Sequence, residues 1–533
     1  MSLPPLLPQL SQPHSGPPLR TMLDELLDEQ RRLPAVERFS AWHDRTAPGP
    51  GARYSALLPA SVPAPGQQYA FEVNLDACTG CKACVAACHA LNGLEEHETW
   101  RSAGLLVSEN RRHSHRQTVT TACHHCVDPG CANGCPVLAY EKDENTGIVR
   151  HLDDQCIGCN YCTMTCSYGV PQYLPSRGIV RKCDMCRQRL DEGEAPACVQ
   201  ACPSGAIRIV LVEKADALAA ARNADVSLLP GAPPSRITVP STRYVSREPV
   251  APTLIPEQDR STELQPAHWP LVLMLVFSQA GAGALATYLI LPDSRALYAA
   301  AALAGAGNAA AILHLGRPLK AWRAWMGWRK SWLSREIITF GLHVPPLLIL
   351  AAAAWLGMKL PLAGAIASLS LAAGIAGIFC SGMVYHVTQR PSWVGGRSLL
   401  RFALTALLGG AAAAWCVRPE TPALIALVIA VTAKLAAESH WHRLAVVSEN
   451  PLLANGVMVL NSTLGIPYRL RFLFLLTGGL FLPAFSLPAG GSSAAFTLTA
   501  AALLLAGEIL ERLLFFRAAM PWHMPGWTAR HHS

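Results

Sequence analysis

Sixteen cysteines between Cys78 and Cys202 constrain the first half of this chain more than any other feature, because they recur at spacings that only a wrapped backbone satisfies. Cys78, Cys81, Cys84 and Cys88 stand at C-x2-C-x2-C-x3-C, and Cys156, Cys159, Cys162 and Cys166 repeat that spacing. Cys123, Cys126, Cys131 and Cys135 fall between the two, and Cys183, Cys186, Cys198 and Cys202 follow. Thiolates at C-x2-C-x2-C reach three irons of one cubane as the turn wraps it, while the cysteine after x3 starts a helix that carries it to a second cluster. A zinc ribbon uses two CxxC pairs per ion and leaves the third close thiol without a role. Sixteen ligands at four per cluster predict four 4Fe-4S clusters. Pro136 and Pro203 follow the last cysteine of the second and fourth groups, as the ferredoxin run expects; His89 and Ser167 stand there in the other two.

The second half addresses a different solvent. The chain has 533 residues, too many for one ordinary domain, and its 51% hydrophobic share is concentrated after Trp269. Apolar segments, each near the roughly 20 residues a bilayer needs, run at about 269–290, 296–315, 335–356, 362–386, 399–417, 421–440, 470–488 and 493–516. The fourth, LAGAIASLSLAAGIAGIFCSGMVY, has the small-residue texture of closely packed transmembrane helices. The predicted fold is an α+β tandem ferredoxin-like iron-sulfur domain, residues 67–212, followed by an all-α eight-helix transmembrane bundle, residues 267–533. Residues 213–266, rich in Pro, read as an extended linker. Residues 1–66 read as an arm with two amphipathic helices around Met22–Leu27 and Leu33–Trp42, broken at Pro34. The arm either docks on a partner or lies on its own domain.

Charge fixes the expected orientation. The net charge of +8 carries no compact basic run interleaved with aromatics, so no nucleic-acid partner is expected. Instead Arg317, Lys320, Arg323, Arg329, Lys330, Arg390, Arg397, Arg401, Arg443, Arg469, Arg471, Arg512, Arg517 and Arg530 fall on one set of loops, and only Arg295, Lys359 and Arg418 on the other. The positive-inside rule then places both termini and the cysteine domain on the cytoplasmic side of a bacterial inner membrane. The start MSLPPLLPQL has no charged n-region before an apolar core, and Arg31-Arg32 lacks the hydrophobic stretch of a twin-arginine signal. Clustered thiols without a signal point to metal rather than disulfides.

With CHHCVDPGCANGCP, HLDDQCIGCNYC, RKCDMCRQRL and LPGAPPSRITVPSTRYVS, residues 67–250 resemble the four-cluster electron-transfer subunit of dimethyl sulfoxide reductase and related complex iron-sulfur molybdoenzymes, including nitrate reductase, polysulfide reductase and sulfite dehydrogenase complexes. The resemblance implies swapped ligation: Cys78, Cys81, Cys84 and Cys202 for one cluster; Cys88, Cys183, Cys186 and Cys198 for its neighbour; Cys123, Cys126, Cys131 and Cys166 for a third; Cys135, Cys156, Cys159 and Cys162 for the fourth. Some relatives have Trp in place of a thiol in the third group and hold a three-iron cluster; Cys159 is present here. AILHLGRPLKAWRAWMGWRKSWLSREII, SGMVYHVTQRPSWVG and AGEILERLLFF are similar to the dimethyl sulfoxide reductase membrane anchor over about 267–520, so the chain resembles a fusion of two subunits.

His314 ends the second predicted helix and Glu336 begins the third. Ionisable groups at such depths are costly unless they serve something, and an imidazole and a carboxylate can give and take the protons of a quinone and its quinol. The resemblance implies a quinone site, menaquinone or ubiquinone, with His314 first, Glu336 second and Arg317 as a positioning aid; His314 alone also reads as an interfacial helix cap. Tyr385 and His386 line that pocket or anchor the interface. Lys434 and Glu438, at i and i+4, read as a structural ion pair, and Glu508 as a proton-path residue or a helix-packing hydrogen bond. Cys380 and Cys416 read as small packing residues, and His124 and His125 as tuning hydrogen bonds or facing solvent. The expected role is non-catalytic: electron transfer between a separate molybdopterin-containing catalytic subunit and the quinone pool. The alternatives are the same role in a cytoplasm-facing sulfite dehydrogenase, in a polysulfide or tetrathionate reductase-type complex, or in a haem-bearing formate dehydrogenase-type complex using His343, His386, His440 or His442. A self-contained reductase would need an exposed iron with a non-thiol ligand, and no cysteine group is incomplete.

Overall fold

The computed structural model describes residues 21–31, 55–59, 61–108, 116–222, 226–257, 264–486 and 494–526. They divide into two units, 1–56 and 57–533. In the first, the helix Met22–Arg31 starts where Thr21 and Asp24 satisfy each other's backbone: Thr21 N donates to Asp24 Oδ2 at 2.9 Å and Asp24 N to Thr21 Oγ1 at 3.2 Å. Its Met22, Leu23 and Leu26 are exposed. The second amphipathic helix expected around Leu33–Trp42 lies outside the described residues.

The second unit begins with the cysteine domain. Strand β1 (Gln67–Asn74) pairs antiparallel with the strand Ile207–Glu213, Val73 opposite Ile207, so the segments on either side of the cysteines close on each other. Strand β2 (Ser102–Ser108) pairs with β3 (Arg116–Thr121). Residues 213–266 depart from the linker expectation. They contain the helix Lys214–Ala221 and two short strands, Arg243–Val245 parallel to β1 and Leu254–Pro256 antiparallel to β2. Both sheets therefore take their third strand from this Pro-rich segment.

Eight long helices follow: α1 (Trp269–Ile290), α2 (Ser294–Ile312), α3 (Trp332–Trp355), α4 (Ala363–His386), α5 (Arg397–Val417), α6 (Thr421–Val447), α7 (Gly465–Ser486) and α8 (Ala494–Arg517). Six of them, all but α2 and α8, are long and apolar enough to cross a membrane. A short helix that the hydropathy pattern does not predict, Pro451–Asn461, sits between α6 and α7, its start capped by the Asn450 side chain. Close packing rests on small residues, as in membrane bundles. A Cβ at Gly283 of α1 would stand 2.0 Å from Ala406 O of α5, and one at Gly377 of α4 would stand 2.8 Å from the Phe340 ring of α3.

What positions the site is the segment between α2 and α3. It includes the 3-10 helix Pro318–Trp325 and docks on carbonyl oxygens of the cysteine loops. Arg317 donates to Asp153 O at 2.8 Å, Lys320 and Arg323 both reach Asp154 O at 3.0 Å, Gly327 N reaches Pro136 O at 2.8 Å and Ser331 Oγ reaches Gly134 O at 2.6 Å. The backbones approach so closely that a Cβ at Gly316 would fall 2.4 Å from Gly178 O. Gly316→Ala is expected to destabilise the solubilised protein by about 1–3 kcal/mol, the usual range for overpacking. Gly364→Ala, whose Cβ meets nothing within 4 Å, should leave thermal unfolding followed by tryptophan fluorescence unchanged.

Candidate functional site

The first C-x2-C pair of each of the four cysteine groups shares one backbone device. The residue before the second cysteine is left-handed in each: Gly80 (φ 72°), His125 (41°), Gly158 (68°) and Met185 (63°). Such turns direct successive N–H groups inward and create a concavity for an anion. Backbone N–H groups already meet sulfur, from Ala139 to Cys135 at 3.2 Å, Gly158 to Cys156 at 3.4 Å, Met185 to Cys183 at 3.4 Å and Ala206 to Cys202 at 3.3 Å.

The thiols gather in four sets that mix distant parts of the chain. The Cys78 thiol faces those of Cys84, Cys202 and Cys81. Cys88 faces Cys198 and Cys186, and Cys183 faces Cys88 and Cys186. Cys131 faces Cys166, Cys123 and Cys126, and Cys162 faces Cys159, Cys156 and Cys135. Successive sets touch: Cys198 lies within electrostatic reach of Cys84, and Cys183 of Cys123. Burial pushes the Cys88 thiol up to about 12, with Cys198 adding to it, and the Cys135 thiol up to about 11, against backbone hydrogen bonds from Ala139 and Val137. A buried thiolate without a cation is disfavoured; these sites suit a positively charged iron core. His124 and His125 are buried, at 2% and 0% exposure, so neither faces solvent. His125 Nδ1 accepts from Val149 N at 3.0 Å, and His124 packs edge-on against Tyr168 at 4.3 Å.

The last set opens on a cavity of about 280 Å³ at the end of the helical bundle, and Cys159, Tyr161, His314, Glu336 and Tyr385 all line it. His314 lies just past α2, its Nε2 buried without a protein partner. Glu336 is 2% exposed and accepts a hydrogen bond from Ser381 Oγ of α4. Tyr161 donates to Val384 O at 2.8 Å, tying the cysteine loop to α4. The remaining wall is largely apolar, with Met164, Leu271, Ile312 and Phe340 among it. A flat, apolar ring with two polar oxygens fits such a space: apolar walls, one imidazole and one carboxyl.

Over residues 115–211 the chain matches the 4Fe-4S dicluster domain model, and over 265–517 the DMSO reductase anchor subunit (DmsC) model. It is 38% identical to the probable anaerobic dimethyl sulfoxide reductase chain YnfG of Escherichia coli (strain K12) over 155 residues, which is 28% of this chain and 75% of that one. The chain belongs to the dimethyl sulfoxide reductase iron-sulfur subunit family. In it that subunit is fused to the family's membrane anchor. It is also 34% identical to the thiosulfate reductase electron transfer subunit PhsB of Salmonella typhi over 152 residues, 28% of this chain and 79% of that one. A third relative is the hydrogenase-2 operon protein HybA of Escherichia coli O157:H7, 36% identical over 156 residues, 24% of this chain; there it spans about half the relative's length, 48%.

Within this dimethyl sulfoxide reductase-type chain, Arg317 is not part of the cavity wall. Its guanidinium is occupied by Asp153 O and Arg177 O, so it fastens the cysteine domain rather than positioning a ligand. Tyr385 lines the cavity and His386 does not. Lys434 and Glu438 do not pair with each other: Lys434 bonds Glu508 of α8, and Arg471 of α7 holds Glu438 at 2.7 Å. Of the candidate haem histidines, His343 is engaged by Ser370 O at 2.8 Å and His442 by the Tyr468 hydroxyl at 3.3 Å. Tyr161 gave no signal in the sequence although it stands inside the HLDDQCIGCNYC motif; Arg101 and Lys182, buried among the thiols, carried no spacing signal.

Raised thiol pKa values have a direct consequence for loading. Ligation requires the thiolate, so thiols that burial holds above their ordinary value, such as Cys88 and Cys135, must release a proton when iron binds, and lower pH opposes binding. Reconstitution of the iron-free chain with iron and sulfide is expected to acidify a weakly buffered solution and to yield less product at pH 6 than at pH 8. Absorbance of the reconstituted clusters and a pH electrode provide the measurements.

Proposed function

We propose that this chain carries electrons between a molybdopterin-containing catalytic subunit and membrane quinone, through four 4Fe-4S clusters held by the four thiol sets. The observation that carries the reading is the single cavity lined by Cys159, His314 and Glu336, which joins the last thiol set to a space at the bundle end. Support for four clusters is the donor chemistry: four soft ligands per set, inward N–H groups and thiols whose burial favours a cationic core. When bound, such clusters supply reversible one-electron transfer.

The chain's own groups do the rest. The left-handed turns at Gly80, His125, Gly158 and Met185 curl the loops that carry the thiols. In the cavity the apolar wall receives the quinone ring and excludes water. Imidazole at His314 and carboxyl at Glu336 stand where the two quinone oxygens exchange protons, as general acid and base. Ser381 fixes the Glu336 carboxyl in orientation. All eight long helices are taken as membrane spans, with both chain ends and the cysteine domain on the cytoplasmic face of a bacterial inner membrane, following the Lys and Arg bias.

Two variants test it. His314→Ala is expected to leave cluster reduction by the catalytic partner intact and to abolish electron exchange with a quinol analogue. Glu336→Gln should slow that exchange by about 10²–10⁴, the usual contribution of a positioned acid or base. Stopped-flow bleaching of the cluster absorption reads both, and unchanged exchange in His314→Ala would move the quinone elsewhere. Iron analysis of anaerobic material should return about sixteen atoms per chain.

A further inference from the structure

Two cations are buried between the thiol sets, and neither belongs to a cysteine motif's own spacing. Arg101 immediately precedes β2 and is 2% exposed. Its guanidinium lies over the Phe71 ring at 4.6 Å and donates to Thr120 Oγ1 at 3.3 Å, and that hydroxyl stands 3.5 Å from Cys84 Sγ. Its Nε and Nη2 are buried without a hydrogen-bond partner. The strongest electrostatic neighbours of Arg101 are thiols: Cys198, Cys183 and Cys88 from one set and Cys84 from the set before it. No carboxylate is among these strongest neighbours. A buried guanidinium without an acidic partner is among the costliest arrangements a fold can hold, so its counter-charge must come from what the thiols carry.

Lys182 repeats the arrangement one step along. It is 3% exposed, its Nζ bonds Cys183 O at 2.8 Å and Val149 O, and it reaches Cys123 Sγ at 3.6 Å. It faces Cys123 and Cys131 of the third set and Cys183 of the second, together with the carboxylate of Asp184. Between the third and fourth sets the corresponding place is taken by a neutral phenol, Tyr140, which faces Cys162, Cys131 and Cys135.

We propose that Arg101 and Lys182 are electrostatic bridges that raise the reduction potentials of the clusters they stand between. The inference rests on the four-cluster reading above. Each reduction adds one electron to a cluster and neither forms nor breaks a bond; a permanent positive charge beside the site favours the more negative, reduced form. Arg101 is a positioning residue, because it touches ligands rather than a substrate.

The experiment is a redox titration of the full chain in detergent with dithionite and ferricyanide, followed by electron paramagnetic resonance, on wild type, R101M, R101K and K182M. In R101M, two of the four components should lose at least tenfold in their reduced-to-oxidised ratio at fixed potential, which for one electron is about 59 mV, and the other two should not move. R101K keeps the charge and should stay near wild type. K182M should shift two components, one of them shared with R101M. Loss of iron from R101M alongside full loading of R101K would also support the charge as the active feature; loss from both would assign Arg101 to packing and overturn the proposal, as would four unmoved components in a fully loaded R101M. Wild-type protein with zinc, or with far fewer than about sixteen irons, would instead overturn the cluster reading itself.

Discussion

The docking of basic side chains and backbone N–H groups on the carbonyl oxygens of two cysteine loops is the contact on which the functional geometry depends. Carbonyl oxygens of Asp153, Asp154, Ile157 and Pro136 face the segment between α2 and α3, and Arg317, Lys320, Arg323 and Gly327 meet them. A loop that wraps its sulfurs inward turns many of its carbonyls outward, so the same turns that build the thiol set also create its docking surface. Gly158, Gly178 and Gly316 let the two backbones meet directly. Because α2 leads into this segment and α3 leaves it, His314 and Glu336 are brought to the last thiol set by covalent continuity. Neither has to be recruited by its own packing.

The helical bundle solves a different problem. Arg401, Lys434, Arg471 and Arg512 are matched by Glu438, Glu508 and Glu511, all within α5 to α8. Each carboxylate has a cationic partner from another helix, and Arg512 also reaches Gln279 of α1 at 3.1 Å and lies over the Phe402 ring at 4.1 Å. Charges in hydrocarbon surroundings persist only when paired or solvated. The pairing joins five helices, α1 and α5 to α8, through directional contacts. Apolar packing between lipid-facing helices, which lacks a hydrophobic driving force, does not fix relative rotation as well. Glu508, readable from the sequence as either a proton-path residue or a helix-packing group, is bound to Lys434 and to Thr405 Oγ1 at 2.6 Å.

Spacing made the cysteine groups legible, because a cubane imposes short, repeated separations along the chain. Partnerships across the chain, such as Cys78 with Cys202, were not readable from spacing and came from family resemblance. His314 and Glu336, which line one cavity, were legible as candidates because an imidazole and a carboxyl end and begin consecutive apolar runs within segments that resemble the family's anchor. Lys434 and Glu438 misled for a physical reason: the i and i+4 rule holds for an isolated helix surface, and here facing helices offered each side chain a closer partner. The strands within 213–266 were invisible because Pro-rich edge strands show no alternation; their pairing is decided by the open edges of β1 and β2. Arg101 lies between motifs, and only its surroundings distinguish it from a surface arginine.

The placement of the cavity also bears on energy conversion. Cys159, His314 and Glu336 share one wall at the end of the bundle nearest the cysteine domain. A quinol oxidised there would give its electrons to the thiol domain and its protons to water on that same side. Electrons and protons then leave in one direction, and turnover by itself moves no charge across the bilayer. A transmembrane contribution would require a continuous proton path through the paired charges of α5 to α8. There Glu508 is bound to Lys434 and Glu438 to Arg471, and a proton passing either carboxylate would have to displace a buried cation from it. Breaking a buried pair is costly, so on the proposed reading redox exchange would stay on a single side.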